Sequence, residues 1–428
     1  MSGASPIEWP TWPPIWRNSR SASAMPKPRE GGCTPLDAFD LRGRHVLTRV
    51  DFNVPMQAGQ VSDNTRIARS VPTIDFIRGR QGIPILMSHL GRPTSASDMR
   101  FSLAGLGKEI SRLCHARLLF SPDTVGPNAS GIIDKAEPGD IVLLENLRFN
   151  PGEEANDPEF AARLAQLGDI YCNDAFSACH RSHASIVGIA NLLPSCAGKL
   201  LTGELNALES ALGHPERPVL ALIGGAKISS KIHLLQNLVE RTDLVIVVGA
   251  MANTFLLARG SGMGSSLVEP DMVDTAAAIA DSAERNGCQL VLPSDLVIAD
   301  ELRTGITPRT VDIGSIPGGM MALDIGPKTI SRIETLLENC RTVIWNGPAG
   351  AFEYPPFDAA TVKLARKAAD LTSNGRILTF AGGGDTVAAL VHARASKRFT
   401  YLSTAGGAFL EWLEGRVLPG IAALSSAS

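Results

Sequence analysis

Lys227 and Lys231 stand four residues apart, directly after Gly224-Gly225-Ala226 and the apolar run Val219–Ile223. A glycine there lets backbone approach a ligand closely, and a helix beginning there presents unpaired N–H groups and a positive dipole end. The pattern predicts such a helix immediately after Gly225, with both lysines on one face. That arrangement suits a polyphosphate. It is not a Walker A loop, because G-x-x-x-x-G-K-[ST] occurs nowhere in the chain. Taken alone, the run is equally a tight strand-to-helix turn with solvated lysines.

Small residues also precede helical stretches at Gly249-Ala250-Met251, Trp345-Asn346-Gly347-Pro348, Gly382-Gly383-Gly384-Asp385-Thr386 and Ser403-Thr404-Ala405-Gly406-Gly407. Helix N-termini converging on one edge form a phosphate-binding surface. Asp385 is the one carboxylate among these turns and the natural Mg²⁺ ligand for a nucleotide. In isolation it reads as well as a helix N-cap. Glu353 suits a ribose hydroxyl or is an ordinary surface glutamate.

The first half carries different chemistry. Its apolar runs end at Asp51-Phe52-Asn53, Ser88-His89-Leu90-Gly91-Arg92, Glu145-Asn146-Leu147-Arg148 and Asn173-Asp174-Ala175-Phe176. Around them gather Arg49, Arg66, His89, Arg92, Arg148 and the run His180-Arg181-Ser182-His183. One such arginine is ordinarily a solvated loop residue. Separate strand ends that each deliver a cation to one edge point to a small, highly charged anion. Interleaved aromatics, the mark of single-stranded nucleic-acid binding, are missing. Alternation along the first strand predicts Arg49, Asp51 and Asn53 on one face and Val50 and Phe52 on the other.

The elements that must position these residues alternate along the chain. Strand-length apolar runs fall at 45–52, 84–88, 141–144 and 170–172, then at 219–223, 244–248, 289–292, 342–345, 377–380 and 400–402. Helical-period segments separate them, which predicts a parallel α/β architecture. Residues 200–212 read as a helix ending at Gly213, with Pro215 and Pro218 beyond, and mark a domain junction. At 428 residues, two domains are expected.

Forty basic against 43 acidic residues give a net charge of −3, so any anion site is a local cluster and nothing global favours nucleic acid or membrane. The seven cysteines form no C-x-x-C pair and read as reduced thiols of a cytoplasmic protein. Trp9, Trp12 and Trp16 stand among Pro10, Pro13 and Pro14 without the apolar core of a secretory signal. Residues 1–33 are expected to be a disordered extension; alternatives are a short targeting peptide or a true start at Met25.

Together these runs resemble phosphoglycerate kinases. The resemblance begins with Thr48-Arg49-Val50-Asp51-Phe52-Asn53-Val54-Pro55, Asp63-Asn64-Thr65-Arg66-Ile67 and Ser88-His89-Leu90-Gly91-Arg92-Pro93. It continues in family order through 143–149, 173–185, 224–232, 251–255, 323–329, 345–353 and 382–386, covering about residues 36–420. It implies two doubly wound, Rossmann-like parallel-sheet domains joined by a hinge helix. The expected boundaries are 34–199 for the acid-binding domain, 200–213 for the hinge, 214–404 for the nucleotide domain and 405–428 for a segment returning to the first domain.

The resemblance further implies that Arg49, Asp51, Phe52, Asn53, Arg66, His89, Leu90, Gly91, Arg92, Arg148, His180, Arg181 and His183 bind 3-phosphoglycerate or 1,3-bisphosphoglycerate. Gly225, Ala226, Lys227, Lys231, Gly249, Ala250, Ala322, Asn346, Pro348, Glu353, Gly383, Gly384, Asp385 and Thr386 would bind ATP or ADP, with Asp385 on Mg²⁺. Arg66, Lys231, Lys227, Gly384 and Gly407 would serve the transfer itself. A cytoplasmic monomer of glycolysis, gluconeogenesis or carbon fixation is implied.

Several positions depart from the family pattern. Thr404-Ala405-Gly406-Gly407 stands where three glycines are usual, and Ala322, Val248 and Ala250 stand where glycine is frequent. Ser230 replaces an aspartate, and Cys179 and Ser182 replace alanines. These are small-for-small or non-ligand changes that touch adenine affinity and loop geometry rather than the reaction.

The chemistry suits the residues. A carboxylate acceptor, with a pKa of about 4, is already ionised at neutral pH and needs no general base. The cation- and glycine-rich site offers no obvious base. A dinucleotide oxidoreductase is the rival from another class, but no G-x-G-x-x-G is followed by the required acid. A non-catalytic nucleotide-binding protein on the same scaffold would have lost Arg66, Lys231 or Asp385, and all three are present.

Overall fold

The computed structural model describes residues 33–57, 59–95 and 98–426. The expectation for residues 1–33, including Trp9, Trp12 and Trp16, therefore lies outside the described residues apart from Cys33. The chain divides into two compact units, one running to Leu205 and resuming at Val417, the other Asn206–Arg416.

The first unit is built on a parallel sheet in the order Leu118–Phe120, Ile141–Leu143, Ile83–Met87, His45–Arg49, Ile170–Asn173, Ser195–Ala197. Ile83–Met87 is buried along its whole length, as expected for a parallel strand covered on both faces. The second unit has the order Gln289–Val291, Leu244–Val247, Val219–Ile223, Thr342–Asn346, Leu378–Gly382, Tyr401–Ser403, again all parallel. Numbered by appearance, that is the 3-2-1-4-5-6 arrangement of a doubly wound dinucleotide fold. Helix Ile232–Arg241 shows how the layers are held: Leu234, Leu235, Leu238 and Val239 form one buried stripe. Each such side chain contributes about 1.5–3 kcal/mol of burial.

The first strand ends at Arg49, three residues before the expected limit. Beyond it the ladder gives way to side-chain partners: Phe52 N–H donates to Ser88 Oγ at 2.9 Å and Asn53 N–H to Asp51 Oδ1 at 3.1 Å. The predicted common face for Arg49, Asp51 and Asn53 is therefore corrected, since only Arg49 lies on the strand. Strands Leu118–Phe120 and Ser195–Ala197, at the two edges of the first sheet, were not anticipated. Also unanticipated is an antiparallel sheet in the second unit, Arg309–Asp312, Asp295–Ala299, Met321–Ile325.

The helix expected at Gly225 begins later. A 3₁₀ turn, Ile228–Ser230, intervenes, Lys231 is the N-cap, and the α-helix starts at Ile232. Lys227 and Lys231 thus share no helical face. Gly225 at φ +138° and the extended Lys227 delay the helical turn.

Residues 199–208 form a helix that continues into one π-helical turn, Glu209–Gly213. Asp174 Oδ1 accepts from the N–H groups of Leu200 at 2.9 Å and Leu201 at 3.2 Å, which satisfies the start of that helix. Burial pushes the Asp174 carboxyl up to about 7 in spite of these donors. Near the C-terminus the change of unit falls at Arg416/Val417 rather than at residue 405. Helix Gly407–Leu413 buries Phe409 and Leu413 and packs on helix Ile232–Arg241, whereas helix Pro419–Ser426 packs on residues 184–191. Among the described residues no helix is long and apolar enough to cross a membrane.

Candidate active site

In the first sheet the chain order reverses between His45–Arg49 and Ile170–Asn173, the place where open α/β sheets bind ligands beyond their strand ends. Arg49 closes the end of the central strand and is only 1% exposed. Its Nε donates to Ser185 Oγ at 2.9 Å, one terminal nitrogen to the Val50 carbonyl, and the other to His89 Nδ1 at 3.1 Å. A guanidinium cannot accept, so Nδ1 is the acceptor and the imidazole proton sits on Nε2. Burial, reinforced by the Arg49 charge, holds His89 well below the usual histidine range although Asp51 opposes this, so the ring is neutral.

Asp51 is the hub beside it. Its Oδ2 accepts from Arg66 at 2.7 Å and from Ser177 Oγ at 2.5 Å. Burial would raise its pKa, but the adjacent Arg66 charge and these hydrogen bonds keep the carboxyl below its ordinary range. Asn53 Oδ1 accepts from Gly91 N–H at 2.9 Å. Gly91 has φ +59°, and a Cβ there would lie 2.1 Å from the Phe101 ring, so the turn requires glycine.

Arg92, Arg148, Arg181 and His183, with Pro93 and Glu154, line a cleft of about 400 Å³. Arg148 donates to the Gly91 carbonyl. Its Nε lies 2.9 Å from Glu154 Oε1, an ion pair by distance without hydrogen-bond alignment. Burial pulls the Arg148 pKa down, and the Arg181, Arg49 and Arg92 charges add to that against Glu154. Arg181 Nε donates to His180 Nε2 at 3.2 Å. Three arginines against the single Glu154 leave the cleft positive on balance, which suits an anion.

The second sheet reverses between Val219–Ile223 and Thr342–Asn346. There two glycine turns touch through their main chains. A Cβ on Gly224 would lie 1.9 Å from the Pro348 carbonyl oxygen, and one on Gly347 would lie 2.2 Å from that of Gly224. Against this crossing lies Lys231, whose Nζ donates to the Gly224 carbonyl at 2.5 Å and to Asn346 Oδ1 at 2.6 Å. Burial lowers the lysine pKa to about 8, with Asp385 acting the other way. The Asn346 amide donates in turn to the Gly382 carbonyl at 2.7 Å, so one buried side chain ties Lys231 to the turn that carries Asp385.

Asp385 is exposed at the second position of helix Gly384–His392, whose N-cap is Gly383. Among the described residues its carboxylate takes no hydrogen bond, so the N-cap reading is set aside. A lone exposed carboxylate, with no cluster of three potential metal ligands among the described residues, fits Mg²⁺, which takes one or two carboxylates and fills its shell from phosphates and water.

Thr386 is buried and accepts from Gly347 N–H at 2.8 Å through Oγ1. Gly249 caps helix Ala250–Ala258, and Gly406 caps the helix that Gly407 begins. Pro348 is half-buried, Lys227, Ala226 and Glu353 are exposed, and Ala322 N–H donates to Ser266 Oγ at 2.9 Å.

The structure thus groups Arg92, Arg148, Arg181 and His183 about one cleft, and places Gly225, Lys231, Asn346 and Thr386 about one crossing. It sets Arg49, Phe52 and Leu90 beneath the surface, outside the lining of that cleft. Sequence reading missed Glu153, Ser177 and Ser185. Glu153, wholly buried, accepts from Ser185 N–H at 3.0 Å and Ser185 Oγ at 2.6 Å. In Pro151-Gly152-Glu153-Glu154 nothing distinguishes the buried glutamate from its exposed neighbour.

The sequence pattern of the family described as phosphoglycerate kinase matches residues 36–416. A phosphoglycerate kinase of Ruegeria sp. (strain TM1040) is 52% identical over 395 residues, covering 92% of this chain and all of the relative. One from Ruegeria pomeroyi is 52% identical over 396 residues, with the same coverage. Among solved structures, phosphoglycerate kinase from Coxiella burnetii superposes with a TM-score of 0.86 at 37% identity, covering 92% of this chain and 99% of that one. The enzyme from Pyrococcus horikoshii gives 0.76 at 28%, with the same coverage. Sequence, length and fold agree, and the chain belongs to the phosphoglycerate kinase family.

Proposed function

We propose that the chain divides the phosphoglycerate kinase reaction, phosphoryl transfer between 1,3-bisphosphoglycerate and ADP, between its two units. The first holds the acid and the second the nucleotide. The observation that carries this reading is the pairing of a cation-lined cleft in one unit with a half-buried lysine at the sheet reversal of the other.

Arg92, Arg148, Arg181, His180 and His183 would hold the phosphate that is not transferred, while Asn53 and His89 steady the carboxyl end and Asp51 aims Arg66. Lys231 and Lys227 would take the nucleotide phosphates, helped by the N–H groups that begin helices at Gly384 and Gly407. Glu353 would reach the ribose, and Gly249, Ala250 and Ala322 would flank the base. Arg66 and Lys231 would neutralise the equatorial oxygens of the phosphoryl group as charge spreads over them. Asp385 would hold Mg²⁺ when the nucleotide is bound. That ion would screen the charge of the phosphates.

An assay coupling ADP release to NADH oxidation tests the reaction with 3-phosphoglycerate and Mg-ATP. ADP release that ignores 3-phosphoglycerate would dismiss this reading. Asp385→Asn is expected to raise the half-saturating Mg²⁺ concentration at least about tenfold, since a neutral amide is a poorer ligand for a hard cation. An unchanged Mg²⁺ titration removes Asp385 from the metal. Bending about residues 200–213 when both substrates bind completes the proposal, in a cytoplasmic monomer whose seven cysteines are free thiols. Small-angle scattering should show a smaller radius of gyration only with both ligands present; the same radius in free and doubly liganded protein rules the bending out.

A further inference from the structure

Glu153 touches no expected ligand, yet it is a fully buried carboxylate at the centre of the cations of the first unit. Its Oε1 accepts from Ser185 Oγ at 2.6 Å, and Ser185 Oγ accepts from Arg49 Nε at 2.9 Å. Arg49 then donates to His89 Nδ1 at 3.1 Å. A carboxylate only accepts, a guanidinium only donates, and a serine hydroxyl has one proton to give. The hydrogens therefore run outward from Arg49, by way of Ser185 to Glu153 on one side and directly to His89 on the other, so the serine and glutamate hold the guanidinium in place and the imidazole is left with its proton on Nε2.

The anchorage is firm at the serine. Ser185 N–H also donates to Glu153 Oε2 at 3.0 Å, and the Ser185 carbonyl accepts from the buried Tyr171 hydroxyl at 2.7 Å. Ser185 sits in a single π-helical turn, Ala184–Gly188, a rare conformation that recurs at functional sites. Glu153 Oε1 also lies 3.7 Å from Nδ1 of His183, a residue that lines the cleft.

We propose that Glu153 and Ser185 are positioning residues for the acid substrate, which act through Arg49 to present His89 as a neutral Nε2–H donor. The proposal rests on the assignment of this unit to 3-phosphoglycerate. A doubly protonated histidine would add one more exchangeable charge to a site that already has several. A ring locked in one tautomer offers a single directed donor instead and costs no reorganisation when the anion arrives.

The decisive variant is Ser185→Ala, because Tyr171 and the Ser185 N–H still hold the turn; Glu153→Gln is the second. Nitrogen-15 spectra of histidine-labelled, ligand-free protein report which ring nitrogen of His89 carries the proton, with His89→Gln supplying the assignment. In the wild type the signal is expected to be that of the Nε2–H tautomer alone. In both variants the Nδ1–H tautomer should become visible. The KM for 3-phosphoglycerate should rise about tenfold, and the KM for ATP should stay within about twofold.

Wild-type histidine signals together with a wild-type acid KM overturn the proposal. So do KM values for both substrates that rise together with a lowered melting temperature, which would make the network a matter of folding alone. A wild-type protein inert towards 3-phosphoglycerate would strike the assigned reaction, while the histidine spectra would still decide the relay.

Discussion

Arg66→Ala is expected to lower turnover by about 10³-fold while the KM for ATP stays within about twofold of wild type. The guanidinium is one-third exposed and lies 2.7 Å from Asp51, so it is aimed but not sealed in. On the proposed role, removing it would take a positive charge from the phosphoryl group at the stage when negative charge spreads over the equatorial oxygens. Ground-state contacts to the acid should remain, because Arg92, Arg148 and Arg181 are proposed to supply them. Asp51 keeps Ser177 Oγ and Asn53 N–H as donors, so the fold should survive. Steady-state kinetics with each substrate varied in turn checks this. Turnover within about threefold of wild type, a barrier change of about 0.7 kcal/mol, would take Arg66 out of the transfer step.

Lys231→Met should separate activity from stability. Burial lowers the lysine from 10.5 to about 8, so between those values the folded protein binds fewer protons than the unfolded chain. The unfavourable cost of the half-buried ammonium is therefore fully present below pH 8 and fades as pH rises towards 10.5. It is on the order of 3 kcal/mol from burial, before the contacts to Gly224 and Asn346, which favour the ammonium and reduce it. Methionine removes the charge but leaves those two acceptors without a donor, which cancels part of the gain.

The ligand-free melting temperature at pH 7 is thus expected to be equal to or above that of wild type, and the difference should shrink by pH 10. Turnover should fall at least about 10³-fold, because on the proposed role the nucleotide phosphates would lose the cation that faces them. Calorimetry across pH alongside the coupled assay reads both. A variant many degrees less stable at pH 7 would show the lysine to be structural in the free protein.

The sheets were legible because they are made of uninterrupted apolar runs. Val219–Ile223 and Ile83–Met87 announce strands buried on both faces. Leu118–Phe120 and Ser195–Ala197 are edge strands of three residues and announce nothing. The cations were legible too, since arginines and histidines at strand ends stand out against apolar runs. What holds them was not. Glu153 is buried only because distant segments close over it, and Asn346 reads as a phosphate ligand although both ends of its amide are engaged by protein. The delayed helix at Ile232 has a similar origin: local periodicity favours an early start, but Gly225 at φ +138° and an extended Lys227 shift it downstream.

The meeting of Gly224 and Gly347 has a consequence for how this chain can vary. The obstacle to a side chain at either position is not a neighbouring side chain but a carbonyl oxygen, at 1.9 Å in one case and 2.2 Å in the other. Every amino acid carries that oxygen, so no second-site replacement can make room. Elsewhere in the core a misfit can be repaired by trimming its neighbour. Here a lineage has no such repair available: Gly224 is held to glycine by the main chain of Pro348, and Gly347 by the main chain of Gly224, whatever side chains stand there. A substitution at either position should therefore mark a gene copy no longer held to a folded product.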